Sequence, residues 1–263
     1  MITYPAIDPV AFHIFSWPVY WYGLMYLVGF LGAWLLLAWR TKVSPRGFTQ
    51  DQVSDLVFYG ALGAIIGGRL GYMFFYDGAA LWANPWLILQ TWKGGMSFHG
   101  GLIGVVLALF FCSRKMHKPM LALTDFGAPV VPIGLGAGRI GNFINSELWG
   151  RVTDAPWGMI FPNGGAAPRH PSQLYEAGLE GVALFLILWI YSRYPRPLGA
   201  VSGLFAILYG IFRSFVEFFR VPDVQIGYLA FGWVTEGQLL SLPLIAIGVV
   251  LMVWAYKKKR VVT

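Results

Sequence analysis

Seven times along its 263 residues this chain runs for about twenty positions with almost nothing but apolar side chains, and that recurrence decides what it can fold into. Backbone placed in hydrocarbon must satisfy its own hydrogen bonds, so apolar blocks of this length read as membrane-crossing helices. The expected spans are Val19–Trp39, Val53–Phe75, Ser97–Cys112, Leu121–Ile140, Gln173–Ser192, Leu198–Phe219 and Trp233–Tyr256, the third of them short. Charged residues make up 12% of the chain, about half the share of a soluble domain, so the fold class is an all-α polytopic membrane protein. The single cysteine, Cys112, excludes an internal disulfide and makes a cysteine metal site or a thiol nucleophile a poor reading.

A net charge of +7 could point to nucleic acid, but the basic residues sit in short clusters between apolar blocks. Arg40, Lys42 and Arg46 follow the first span, and Arg114, Lys115 and Lys118 follow the third. Arg193 and Arg196 follow the fifth, and Lys257, Lys258, Lys259 and Arg260 follow the last. These are alternate connections, and the positive-inside rule makes their side cytoplasmic. The N-terminus is then expected outside and the C-terminus cytoplasmic. No nucleic-acid partner is expected. The opening "MITYPAIDPVAFHIFSWP" has neither a basic region nor a small-residue cleavage site, so no removable signal peptide is read there. The Phe143–Ser172 loop is long enough for a small extracytoplasmic cap, and its prolines and glycines oppose a long helix.

An ionisable group at mid-bilayer costs about 2.5–3.5 kcal/mol on insertion scales, so each one needs a reason. Tyr22, Arg69, His99, Arg139, Glu176, Arg213 and Glu217 all fall toward the outer ends of their spans. They are expected to form one outward-facing polar layer. In the sixth span Tyr209, Arg213, Glu217 and Arg220 share a helical face. That face reads either as an internal Arg213–Glu217 ion pair or as a guanidinium site for phosphate. Arg69 reads as a structural pairing before a lipid contact. Glu176 and Glu180 are like charges one turn apart, which calls for partners on a neighbouring helix. Asp55 and Asp125, nearer the inner side, read as caps or ties.

Gly63 and Gly67 read as close helix packing. The glycines after His99, in "HGGLIG", leave room for a backbone or a lipid to approach the imidazole.

Five stretches together resemble the bacterial prolipoprotein diacylglyceryl transferases. They are "WYGLMYLVGF" (Trp21–Phe30), "SFHGGLIG" (Ser97–Gly104), "GRIGNFINSELWGR" (Gly138–Arg151), "RHPSQLYEA" (Arg169–Ala177) and "YGIFRSFVEFFR" (Tyr209–Arg220). The resemblance implies a single transmembrane catalytic domain over 1–263 in the bacterial inner membrane, with its site facing the periplasm. It implies transfer of a diacylglyceryl group from phosphatidylglycerol to the lipobox cysteine of a preprolipoprotein signal peptide, with release of glycerol 1-phosphate. Membrane lipid and that peptide are the implied partners, and no cofactor or metal is implied. Arg139 and Arg213 match the family's essential arginines, and Asn142, Glu147 and Gly150 complete the signature. His99, Tyr22, Tyr209 and Glu217 match further positions the family needs.

The implied reaction displaces a phosphate from a glycerol carbon by sulfur. Arg139 and Arg213 are expected to clamp the phosphate, with Arg220 beside them on the substrate. Glu147 and Glu217 are each expected to pair with one of the two. Asn142 is expected to bond the headgroup or to orient a side chain. His99 is the expected base for the thiol, with Tyr22 or Tyr209 nearby. A transporter for an anionic solute is the rival reading, but the two halves of the chain show no repeat.

Overall fold

The structure is a computed structural model and describes residues 2–43, 46–90, 94–222, 227–229 and 231–259. It is mostly helical. Among the described residues five helical stretches are long and apolar enough to cross a membrane: α1 (Trp21–Val43), α2 (Gln50–Phe75), α4 (Phe98–Lys115), the Ser172–Tyr191 stretch and α10 (Glu236–Lys258). A sixth passes only as a bent pair, α5 (Met120–Gly127) and α6 (Val131–Ile144), which meet at 53°. The apolar helix α9 (Ala200–Val216) has 17 residues. A short helix α3 (Gly78–Ala83) and a 3-10 turn (Pro85–Leu89) lie between α2 and α4.

Three sequence expectations are corrected. The chain is not all-α: strands β2 (Val10–Ile14) and β3 (Trp17–Tyr20) form a hairpin, and β1 (Ile2–Thr3) pairs in parallel with β4 (Met159–Ile160). Val19 and Tyr20 therefore belong to a strand, and the first helix begins at Trp21. The expected Leu121–Ile140 span is broken, because Pro129 and Pro132 withhold backbone donors at the bend. The helix that follows continues to Ile144 and carries the first half of the signature motif within it.

The helix starts are written locally. Thr49 with Gln52 and Thr235 with Gln238 form capping boxes at α2 and α10, and Ser97 caps α4 through the Gly100 amide. At the start of α9, Asp125 accepts hydrogen bonds from the Gly199 and Ser202 amides and the Ser202 hydroxyl.

The chain divides into two compact units, residues 1–36 with 125–263, and residues 37–124. In the smaller, α2 and α4 meet glycine to glycine. A Cβ on Gly67 would lie 2.9 Å from the Gly104 Cα, and one on Gly71 would lie 2.7 Å from the Gly100 Cα. This is the expected small-residue packing, with dispersion contacts replacing the hydrophobic drive that lipid does not supply. The glycines after His99 accordingly receive the α2 backbone. In the larger unit Gly136 meets Gly181 in the same way, and Gly203 meets Gly248. Its apolar core gathers Ala128, Leu184, Leu188 and Val201. Outer faces are apolar: Leu107 is 62% and Val250 68% exposed, as helices facing lipid require. Cys112 is fully buried.

Candidate active site

The Ser172–Tyr191 stretch is not a plain helix. It opens as α7 (Ser172–Glu176), widens into a π-helical segment (Ala177–Ala183) and closes as α8 (Leu184–Tyr191). Such bulges often mark functional sites, because the wider turn re-aims side chains. Here Glu176 ends α7 and Glu180 lies within the π-helical segment, both fully buried. Two arginines from other helices converge on them. Arg139 of α6 places Nε 2.8 Å from one oxygen of Glu176. Arg213 of α9 donates from Nη1 to the other oxygen of Glu176. Glu180 lies deeper, 4.0 Å from Arg139 and 3.9 Å from Arg213.

Arg213 also pairs with Glu217 at 2.5 Å, the i,i+4 contact legible in the sequence. Glu217 follows α9 and accepts from Arg220 at 3.2 Å and from the Thr235 hydroxyl at 2.7 Å. Arg220 lies beyond the end of the helix, in a β-bridge with Gly150, so the expected four-residue helical face is interrupted there. Three guanidiniums and three carboxylates thus form one cluster. Arg139 and Arg213 remain 22% and 12% exposed, whereas Glu176 is 1% exposed.

Among the described residues Glu147 pairs with no arginine, which corrects the sequence expectation. After α6 the chain turns sharply, with Ser146 and Leu148 at φ of 55° and 59°, a left-handed region that costs non-glycine residues energy. This corner turns Glu147 back toward α6, where it accepts from Asn142 and Asn145 at 3.1 Å each. Asn142 in turn accepts from Arg139 at 3.5 Å, so Glu147 acts on that arginine only through the amide. The corner is held by Gln173, which donates to the Glu147 carbonyl, and by Ser172, which donates to that of Leu148.

Tyr22 lies against the signature helix. A Cβ on Gly141 would meet its ring at 2.8 Å. Tyr209 sits one turn before Arg213 and stacks on Phe205. Gly150 is wedged between the Phe219 and His170 carbonyls: its amide donates to the His170 carbonyl at 2.8 Å, and a Cβ there would lie 2.7 Å from that oxygen. Backbone packing alone thus accounts for a glycine at this position. His99 lies in the smaller unit, exposed in the first turn of α4. Arg69, in the same unit, donates to the carbonyls of Leu87, Ile88, Gly94 and Gly95. It is the structural pairing expected, with backbone as the partner.

Sequence reasoning missed the residues that hold the cap. Arg151 donates to the carbonyls of Arg220 and Glu217, which quiets the negative end of α9. Arg169 stacks on Trp149 at 4.0 Å and donates to Gly164 and Gly150. His170 sits 3.0 Å from the Tyr175 hydroxyl, which accepts from the Trp157 indole at 2.7 Å. Burial lowers the pKa of His170 and favours the neutral ring. The signal was available: Arg169 and His170 open a quoted motif and stand directly before the span.

Apolar helices of membrane-crossing length and, in the larger unit, a buried arginine–carboxylate cluster with partly open guanidiniums mark a multi-pass membrane protein. The family model described as prolipoprotein diacylglyceryl transferase matches residues 9–254, and the chain belongs to that family. A phosphatidylglycerol–prolipoprotein diacylglyceryl transferase of Pseudomonas paraeruginosa is 60% identical over 258 residues, covering 98% of this chain and 97% of the relative. One of Coxiella burnetii is 60% identical over 260 residues, covering 99% of this chain and all of the relative.

Proposed function

We propose that this chain is a transferase that moves the diacylglyceryl group of phosphatidylglycerol onto a prolipoprotein, in lipoprotein maturation. The acceptor is the lipobox cysteine in the signal peptide of the preprolipoprotein. Sulfur attacks the glycerol carbon, the C–O bond to phosphate breaks, and a C–S thioether forms. The thiol proton passes to a base, and glycerol 1-phosphate leaves.

The phosphate begins as a singly charged diester and departs as a monoester carrying more negative charge. Guanidiniums beside it stabilise that growing charge more than the ground state, and each 1.36 kcal/mol of the difference is worth about tenfold in rate. Arg139 and Arg213 are the clamp in this reading, with Arg220 and Asn142 completing the phosphate side and Tyr22 and Tyr209 lining it. Glu217 holds Arg213 and Arg220, while Glu147 orients Asn142. Gly150 keeps the cap close to that side. A free thiol of pKa about 8.5 needs deprotonation, and His99 is proposed for it on the family resemblance.

The protein is multi-pass in the inner membrane. The bent α5–α6 pair and α9 complete seven crossings, with the N-terminus and the site toward the periplasm and the C-terminus cytoplasmic.

One observation carries the reading: two arginines from different helices are brought to a single fully buried carboxylate while keeping part of their surface open. The test is thioether formation with phosphatidylglycerol and a lipobox peptide, using Arg139→Lys and Arg213→Lys and following thermal stability in parallel. Both variants are expected to fold and to lose activity. Full activity in both would remove the clamp.

A further inference from the structure

We propose that Glu176 is a positioning residue that holds the place of the substrate phosphate. It bridges Arg139 and Arg213 with one oxygen each and sets their spacing before lipid arrives. The proposal rests on the reading of the two arginines as a phosphate clamp.

The geometry is specific to Glu176. Its Oε2 faces Arg139 Nε at 2.8 Å and its Oε1 accepts from Arg213 Nη1, so the two arginines are spanned by the two oxygens of one group. A phosphodiester offers the same pattern, two anionic oxygens on one central atom. The other carboxylates do not do this. Glu217 serves Arg213 and Arg220, Glu147 bonds asparagines, and Glu180 stands near 4 Å from both guanidiniums.

Glu176 is also held from behind. Its side chain is 1% exposed, and it follows Gln173 and Tyr175, which are tied to the signature corner and to the cap. Packing, not water, therefore sets where its carboxylate stands. A fixed anion between two flexible guanidiniums keeps them from collapsing onto other acceptors or drifting apart under like-charge repulsion. It has an opposing effect on the ground state, because its charge competes with the lipid phosphate for the same two guanidiniums. A residue of this kind makes binding weaker and turnover faster. A merely structural ion pair would not split the two.

The experiment uses the full chain in detergent micelles containing dioleoyl phosphatidylglycerol, with equilibrium lipid affinity, kcat and KM measured for Glu176→Gln, Glu176→Asp and Arg213→Lys. Glu176→Gln removes the competing charge, so lipid affinity is expected to rise about threefold to tenfold and kcat to fall about tenfold or more. Glu176→Asp keeps the charge but shortens the strut, so kcat is expected to fall while lipid affinity stays within about twofold of the parent. Unchanged kcat in Glu176→Asp, or weaker lipid binding in a folded Glu176→Gln, overturns the proposal. If Glu176→Gln does not fold, Glu176→Asp decides alone. Arg213→Lys separates the two ideas: if it loses lipid affinity while Glu176→Gln gains none, the clamp stands and only the role of Glu176 falls. If Arg213→Lys binds lipid like the parent, the clamp fails and takes this role with it.

Discussion

Each compact unit encloses an arginine, fully or in large part, and the two are satisfied in opposite ways. Arg69, in residues 37–124, is 5% exposed and donates to four backbone carbonyls between Leu87 and Gly95. Arg213, in the larger unit, meets the carboxylates of Glu176 and Glu217 and keeps 12% of its side chain exposed. Carbonyls are fixed dipoles of the fold, so an arginine spent on them organises a loop and has few donors left. Carboxylates can be exchanged for another anion of similar shape. In the proposed clamp reading an enclosed arginine is a scaffold or a reagent according to its acceptors, and burial alone does not separate the two.

The sharpest way to break this contrast is to shorten the fork. Arg213→Lys and Arg139→Lys are expected to lower thioether formation about 10²–10³-fold, in line with losing a preorganised donor to developing charge, with little change in melting temperature. Arg69→Met should do the reverse. It removes a charged donor from four backbone carbonyls and is expected to cost about 1–3 kcal/mol of stability by thermal or denaturant unfolding. Affinity of the folded fraction for phosphatidylglycerol should be retained. If Arg69→Met instead abolishes lipid binding at unchanged stability, the assignment of the two arginines is reversed.

Smaller effects sharpen the same comparison through packing. Gly67→Ala puts a methyl group into the α4 backbone and is expected to destabilise by about 1–3 kcal/mol. Gly138→Ala, beside Arg139, has nothing within 4 Å of the new Cβ and is expected to leave unfolding nearly unchanged.

The smallest expected effect is on pH. Burial holds His170 below its ordinary value, so the folded cap favours the neutral ring. That contribution is present above the unfolded pKa of about 6.5 and is lost as pH falls through the lower folded value. Protection of the paired Met159 and Arg169 amides, taken relative to the intrinsic exchange rate at each pH, should therefore fall as the pH drops below about 6.5 in the parent and become less pH-dependent in His170→Gln.

Much of this architecture is visible in the chain itself. The apolar runs, the glycine spacing of α2 and the Arg213–Glu217 pair depend on residues close in sequence, where helical geometry dictates which side chains meet. The N-terminal strands were not legible, because two-residue strands and a hairpin tipped by Phe15 at φ 54° leave no periodic trace. The partner of Arg139 was not legible either. Glu147, eight residues away, was the natural choice, but the left-handed corner at Ser146 and Leu148 turns it toward two asparagines. The partner is Glu176, thirty-seven residues on, on a segment whose π-helical turn no local pattern announces.

By itself the sequence determined that the chain lives among lipids, where five of its membrane-length helical stretches lie to within a few residues and which side chains are too polar for that setting, because transfer from water to hydrocarbon is settled segment by segment. Only the tertiary structure decided which carboxylate each arginine meets. That depends on how a bent helix, a widened helix and a sharp corner rotate their side chains against one another, and ion pairing is decided over distances of a few ångströms that no spacing along the chain specifies.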